Sequence, residues 1–281
     1  MPQRILLAVL LTLPLFDIAA AQTPEPLAPA TLSPEALSPE TLSPEKRGLA
    51  IAMEADKRNS GWKDQQSNLK MILRNPQGQA TERNIRNKQL EVSGDGDKSM
   101  SIFDSPADVK GTAFLSYTHA TKPDDQWLFL PALKRVKRIS SNNKSGPFMG
   151  SEFAYEDITS QEVEKYSYKW LKDEQYEGRD TFVVERYPAY AHSGYTKQVA
   201  WVDKAMYQPL KIDFYDRKGE LLKTLTHHGY QQYLDKYWRP QRMEMVNHIT
   251  KKGTTLLWAN YAFNNGFTDR DFDQNSLTRA H

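Results

Sequence analysis

The clearest strand pattern in the chain is Pro209-Leu-Lys-Ile-Asp-Phe-Tyr-Asp216. Its apolar members Leu210, Ile212 and Phe214 alternate with polar residues, which is the pattern of a strand with one dry face and one wet face. The same alternation continues across residues 194–266, with turn sequences between the runs. Its further apolar positions are Val199, Trp201, Met243, Met245, Leu256 and Trp258. The pattern predicts a series of antiparallel strands.

The preceding part of the chain has the same rhythm of strands and turns. We expect about eleven to thirteen strands in all. A single amphipathic helix precedes them, beginning at Ser43-Pro44-Glu45 and ending near Lys57, because a serine cap followed by proline favours a helix start. No repeat of the length typical of a propeller blade is visible. These features predict a mainly β fold in which one large antiparallel sheet curls into a barrel or half-barrel.

The N-terminus has the composition of a secretory signal peptide. Arg4 supplies a positive charge, residues 5–13 form an apolar run, and residues 19–21 offer a small-residue cleavage site. The apolar run is shorter than the about 20 residues that a membrane-spanning helix needs, although a membrane anchor is the alternative interpretation. We therefore predict that residues 1–21 are removed on export and that the protein works in the periplasm.

The next segment differs in composition from everything after it. Within residues 22–43, Leu-Ser-Pro-Glu recurs at a period of five, which predicts a disordered, extended tether. Residues 44–281 then form one domain. The chain has no cysteine and a formal net charge of +2. Disulfides, cysteine-bound metals and an acylated cysteine anchor are thereby excluded, and the balanced charge gives no indication of a nucleic-acid partner.

A large curved sheet must cover its dry face with other segments. Where those segments cover only part of it, an apolar cavity remains, and the protein is then suited to hold an apolar ligand. Met71, Met243 and Met245 fall at predicted inward positions, and flexible thioethers tolerate ligands of varied shape. The sequence therefore favours a ligand-binding interior.

The loop of residues 140–151 is polar and contains glycine, but carries Phe148 and Met149 near its end. A mobile loop with an apolar tip is typical of a gate over a cavity or of a contact with a membrane. In the alternative interpretation the loop is an ordinary connection whose Phe148 packs in the core.

Four cations precede this loop on one predicted strand. They are Lys134, Arg135, Lys137 and Arg138. We expect such a strand to contact anionic lipid headgroups, each cation contributing about 1 kcal/mol near a charged surface. A solvated outer face is the alternative.

Catalytic and metal-binding patterns are weak. His227 and His228 are adjacent on a strand and point to opposite faces, so they cannot hold one metal ion together. Glu152, Glu156 and Asp157 lie close together in sequence, and a hydrolase would need such acids to converge with a nucleophile. We therefore expect neither an enzyme nor a cofactor or metal, with a hydrolase as the less favoured alternative.

Several motifs carry a family resemblance. They lie at residues 105–112, 127–139, 148–157, 209–216, 243–245 and 264–266. In these motifs the chain resembles the exported outer-membrane lipoprotein-sorting proteins of the LolA-like superfamily, in particular the branch often found beside RND-type exporters. The resemblance covers the chain from about Glu45 to its end.

The resemblance implies a half-open β-barrel covered by an N-terminal helix and short helices, with an apolar interior that binds acyl chains of lipoproteins or lipids. It also implies a carrier that moves this cargo between membranes or to and from an exporter. The alternative is an accessory subunit that docks on an RND-type exporter and fills its own interior. The expected cavity lining is Leu69, Met71, Leu73, Phe129, Leu210, Ile212, Phe214, Met243 and Met245.

Overall fold

The computed structural model describes residues 42–279. The predicted signal peptide, residues 1–21, and nearly all of the predicted tether, residues 22–43, lie outside the described residues. Within the described part of the chain, no helix is both long enough and apolar enough to cross a membrane.

The described chain contains two α-helices and fifteen β-strands. The helices are α1 (Pro44–Asn59) and α2 (Gln274–Arg279). The strands are β1 (Asp64–Arg74), β2 (Ala80–Leu90), β3 (Lys98–Ser105), β4 (Ala113–Tyr117), β5 (Asp125–Leu130), β6 (Arg135–Ile139), β7 (Tyr166–Tyr176), β8 (Arg179–Pro188), β9 (Lys197–Asp203), β10 (Pro209–Tyr215), β11 (Leu221–His228), β12 (Gln231–Tyr233), β13 (Tyr237–Arg239), β14 (Arg242–Asn247) and β15 (Gly253–Phe263).

Thirteen of these strands form one antiparallel sheet in the order β6-β5-β4-β3-β2-β1-β15-β14-β11-β10-β9-β8-β7. Strands β6 and β7 are its two edges, so the curved sheet does not close into a full barrel. The remaining strands, β12 and β13, form a separate hairpin. The predicted fold class, a mainly β half-open barrel with one N-terminal helix, is confirmed.

The two faces of the sheet are covered by different parts of the chain. On β3, Phe103 packs in the main core on the concave face, whereas Met100 and Ile102 belong to a second cluster on the opposite face. The second cluster also contains Phe272 and Leu277, which come from the C-terminal segment and α2. Because α2 packs on β4 and β5 and residues 269–272 pack on β3, this region of the sheet is covered on both faces.

Helix α1 begins and ends as its sequence predicts. The Ser43 hydroxyl accepts a hydrogen bond of 3.3 Å from the backbone N–H of Lys46, and Pro44 occupies the first turn. The helix packs directly on edge strand β7. A Cβ atom added to Gly48 would lie 2.8 Å from the backbone nitrogens of Lys169 and Trp170, so only glycine fits at this crossing.

We expect Gly48→Ala to loosen the contact between α1 and β7. In an exposed helix this substitution would gain about 1 kcal/mol of stability, but here the added methyl meets backbone that cannot move aside, and overpacking costs about 1–3 kcal/mol. The free energy of unfolding should fall in urea titration, and the fluorescence emission of Trp170 should shift. Ala50→Gly, at an exposed position of the same helix, is the control and should leave that emission unchanged. A more stable Gly48→Ala variant would contradict the tight crossing.

Candidate ligand-binding cavity

The concave side of the sheet encloses a cavity of about 1080 Å³. Its wall also includes α1, the hairpin of β12 and β13, and residues 140–165, the connection between β6 and β7, which we call the plug segment. The volume is at the upper limit of the about 300–1,000 Å³ that small-molecule sites occupy. The cavity is therefore large enough for an extended apolar ligand.

Apolar side chains form a continuous part of the cavity wall. Ile212 on β10 lies between Ala200 on β9 and Leu225 on β11, and all three line the cavity. Leu256 lies between Met243 on β14 and Met71 on β1, and these three line it as well. Two adjoining apolar rows thus cross the sheet on its concave face.

Five of the nine predicted lining residues lie on the cavity. These are Leu69, Met71, Ile212, Phe214 and Met243. Three others belong to the surrounding structure and not to the lining: Met245 is fully enclosed in the core, Leu210 is buried, and Leu73 packs against the core cluster. Whether the five residues bind a ligand stays a prediction.

The prediction that Phe129 lines the cavity is wrong, because Phe129 lies on the opposite face of the sheet. It packs with Phe272 and Leu277 beneath α2, while its neighbour Leu128 joins the main core. The run Trp127-Leu128-Phe129 is apolar on both faces because both are covered, so the period-two pattern that identifies an inward face is missing there.

The plug segment turns inward and does not form an exposed loop. Phe148 is 3% exposed, and its ring centroid lies 5.2 Å from that of Phe114 and 5.6 Å from that of Tyr155. Phe148 lines the cavity, whereas the partly buried Met149 packs against the core behind it. The structure thus has the alternative arrangement, with Phe148 in the core, and a gating role for these two residues stays a prediction.

Two buried carboxylates attach the plug segment to the sheet. Glu156 accepts hydrogen bonds of 2.8 Å from the Ser193 hydroxyl and 2.8 Å from the backbone N–H of Gly194. Burial raises the pKa of the Glu156 carboxyl. Asp157 lies 2.7 Å from the Lys223 ammonium, and the side chains of this ion pair are 3% and 5% exposed. The ammonium also donates to the carbonyl of Glu152, at 2.9 Å.

These acids are therefore used to hold the plug segment. Glu152 accepts a hydrogen bond of 2.7 Å from the Asn247 amide, so each of the three acids considered for hydrolysis has a structural partner. Within residues 42–279, no three His, Asp or Glu side chains are placed to hold a metal ion. His227 lines the cavity, and desolvation lowers its pKa to about 3, so its imidazole is neutral.

One part of the cavity wall is polar, and the sequence alone did not lead us to expect it. Asn87 and Gln89 on β2 and Ser99 and Ser101 on β3 all line the cavity, and Gln65 on β1 lies beside them. The available signal was the spacing: Asn87 and Gln89 continue the inward series of Ile85 at a period of two. Polar residues at inward positions mark either a buried network or a binding surface.

Carboxylates collect beside this polar wall. Asp97 accepts hydrogen bonds of 3.2 Å from the backbone N–H of Val92 and 3.2 Å from the Ser160 hydroxyl. Desolvation, aided by the nearby charges of Glu162 and Glu91, raises the pKa of Asp97 to about 7. Burial also raises the pKa of Glu162.

The four predicted headgroup-binding cations lie on the surface. Lys134, Arg135, Lys137 and Arg138 are exposed, on or next to edge strand β6. Arg138 pairs with Asp125, and the other three have no ion pair within the described part of the chain. They remain accessible to an anionic surface.

The chain is similar in sequence and structure to several known proteins. A family model described as an uncharacterized protein matches residues 95–279. An outer membrane lipoprotein-sorting protein domain from Vibrio parahaemolyticus is 57% identical, over 84% of this chain and 100% of that domain, with a TM-score of 0.82. A DUF1329 family protein from Desulfovibrio piger is 29% identical, over 84% of this chain and 100% of that one, with a TM-score of 0.80.

A more distant structure shares the fold. A LolA superfamily protein from Nitrosomonas europaea is 22% identical, over 82% of this chain and 98% of that one, with a TM-score of 0.66. No curated protein matches the chain.

We expect Lys223→Met to destabilise the fold strongly. The substitution leaves the buried Asp157 carboxylate without its cation, and breaking a buried pair in this way costs about 3–5 kcal/mol. Urea denaturation measures the loss. Lys70→Met is the matched control, because Lys70 pairs with Glu82 at 3.2 Å with both side chains about half exposed, and such pairs contribute about 0–1 kcal/mol. Equal losses in the two variants would contradict the anchoring role.

We expect Asp97→Asn to stabilise the protein at neutral and alkaline pH. The folded state holds the Asp97 carboxyl protonated up to about pH 7, whereas the unfolded chain releases the proton near 3.8, so stability falls as pH rises between these values. Asparagine removes this loss. The difference in melting temperature between variant and wild type should grow from pH 3.8 to about 7 and then stay constant. Asp108→Asn, at an exposed position, controls for removing one negative charge. A constant difference across this range would contradict the buried carboxyl.

Proposed function

This chain belongs to the outer-membrane lipoprotein-sorting proteins of the LolA-like superfamily, and from that premise we propose that it is a periplasmic carrier of acyl chains. Its cargo is the acyl portion of lipoproteins or lipids, sheltered in the cavity during transfer between membranes or to and from a membrane exporter. The relative from Vibrio parahaemolyticus, described as a lipoprotein-sorting domain, supports this class of cargo.

The observation that carries the proposal is the cavity of about 1080 Å³ with its two apolar rows. Burying one methylene group contributes about 0.8 kcal/mol, so ten buried methylenes contribute about 8 kcal/mol. That equals a dissociation constant of about 1 μM before the loss of ligand freedom is subtracted. The net affinity is weaker than this limit, so the cargo is held reversibly.

The surface of the protein supports contact with membranes. Edge strand β6 and the adjacent Lys134 together present three exposed cations without ion pairs in the described structure, and anionic headgroups attract such groups. In our proposal Lys134, Arg135, Lys137 and Arg138 contact headgroups while cargo enters or leaves. No catalytic step is assigned, because the buried acids Glu156 and Asp157 hold the plug segment.

The carrier function is tested by purifying the protein without detergent and recording native mass spectra. We expect bound lipid, together with uptake of a fluorescent fatty acid. Ala52→Phe should reduce this uptake several-fold, because Ala52 lies on α1 facing the cavity and the larger ring occupies ligand space. Ala50→Phe introduces the same ring at an exposed position of the same helix and should bind as the wild type does.

Two results would overturn the carrier function. One is wild-type protein that is consistently free of lipid and takes up no fatty acid. The other is equal uptake by the Ala52→Phe and Ala50→Phe variants, which would place binding outside the cavity.

A further inference from the structure

The polar and apolar parts of the cavity wall are arranged in order along β1 and β2. Gln65 pairs with Gln89 in the register of these strands, Leu69 pairs with Ile85, and Asn87 lies between the two levels. The distance along β2 from Gln89 to Ile85 is about 13 Å, from four residues at about 3.3 Å each. One concave surface therefore changes from hydrogen-bonding to apolar within the length of a small lipid.

A hydrogen-bond chain fixes the orientation of the amide of Gln89. Arg239, which is 9% exposed, donates from Nε to Gln65 Oε1 at 3.0 Å. Because arginine has no acceptor, the oxygen of Gln65 must face it, and the Gln65 Nε2 group then donates to Gln89 Oε1. The Nε2 group of Gln89 is the free end of this chain and makes no hydrogen bond within the described structure.

Asn87 presents a second donor on the same face of β2. Its Oδ1 atom accepts a hydrogen bond of 2.5 Å from the Ser101 hydroxyl. Its Nδ2 group is buried and has no partner in the described structure, although Asn87 is only 9% exposed. A buried donor without an acceptor is unfavourable, and an acceptor on a bound ligand would relieve it. Asn87 and Gln89 thus offer two amide donors side by side.

The charges around the two donors select among acceptors. Glu91 lines the cavity next to Gln89, and a carboxylate at this position repels a second negative charge. Arg239 keeps its positive charge, but seven Asp and Glu side chains line the cavity against three Lys and Arg side chains, Lys63, Arg186 and Arg239. An uncharged oxygen acceptor on a ligand therefore suits this part of the cavity better than an anionic one.

We propose that the Asn87 and Gln89 amides bind an uncharged oxygen acceptor, such as the ester carbonyl of an acyl lipid, whose alkyl chain lies on Leu69, Met71 and Ile85. The inference rests on the proposed carrier function and adds two features to it: the chemistry of the polar end and the direction of the ligand. The ester end lies at the level of Gln89, and the chain extends along β2 toward the level of Ile85.

The test is displacement of the uncharged fluorescent probe N-phenylnaphthylamine by three ligands that share one alkyl chain: methyl laurate, lauric acid and undecane. For the wild type we expect methyl laurate to bind about tenfold more tightly than undecane, as two hydrogen bonds imply. Lauric acid at neutral pH should bind more weakly than its ester. Asn87→Leu and Gln89→Leu should each reduce the preference for ester over undecane about threefold, and the double variant should abolish it.

Ile85→Ala is the matched control on the same strand, and it should weaken ester and undecane by the same factor. Thermal unfolding checks that each variant is folded. If the double variant does not fold, Gln89→Met at its half-buried position provides the same comparison. Equal wild-type affinities for ester and undecane would overturn the donor pair and leave the carrier function standing, as would tighter binding of the acid. Failure of all three ligands to bind would overturn both.

Discussion

Successive side chains of each strand point to opposite faces of an open sheet, and the concave face that results must be covered. A curved sheet of thirteen strands has a concave face too large to stay exposed, yet its two edges never meet, so other segments must cover that face. Helix α1 and the plug segment do so from different sides. Their attachments are specific: a backbone crossing at Gly48 and a buried ion pair between Asp157 and Lys223. The uncovered remainder is the cavity.

The sequence predicted inward positions on β10, where apolar and polar residues alternate. Ile212 and Phe214 alternate with polar residues and both line the cavity. The same reasoning failed at Phe129, because α2 covers the outer face of that strand and removes the alternation on which the assignment relied. The helix start at Ser43 was also predictable, since its signals are local. The local pattern of a strand does not show which distant segment of the chain covers it, and predictions that depend on such coverage failed.

The polar wall of the cavity illustrates the same limit. Polar residues on a strand are ordinarily solvent-facing, so the spacing of Asn87 and Gln89 from Ile85 is the one sign of an interior role that β2 offers by itself. Their meaning depends on Gln65 and Arg239, which reach them only through the strand register and the hairpin of β12 and β13. The direction of a hydrogen-bond chain that begins at an arginine is a property of the folded molecule.

The cations on edge strand β6 also affect how two copies of the chain can meet. An unpaired strand at the end of a sheet is a template on which another chain can add, and proteins oppose this with charge. Two copies that met edge to edge along β6 would bring Arg135 and Lys137 of each chain against the same residues of the other. Repulsion between these cations opposes edge-to-edge pairing of two copies and favours contact with anionic surfaces.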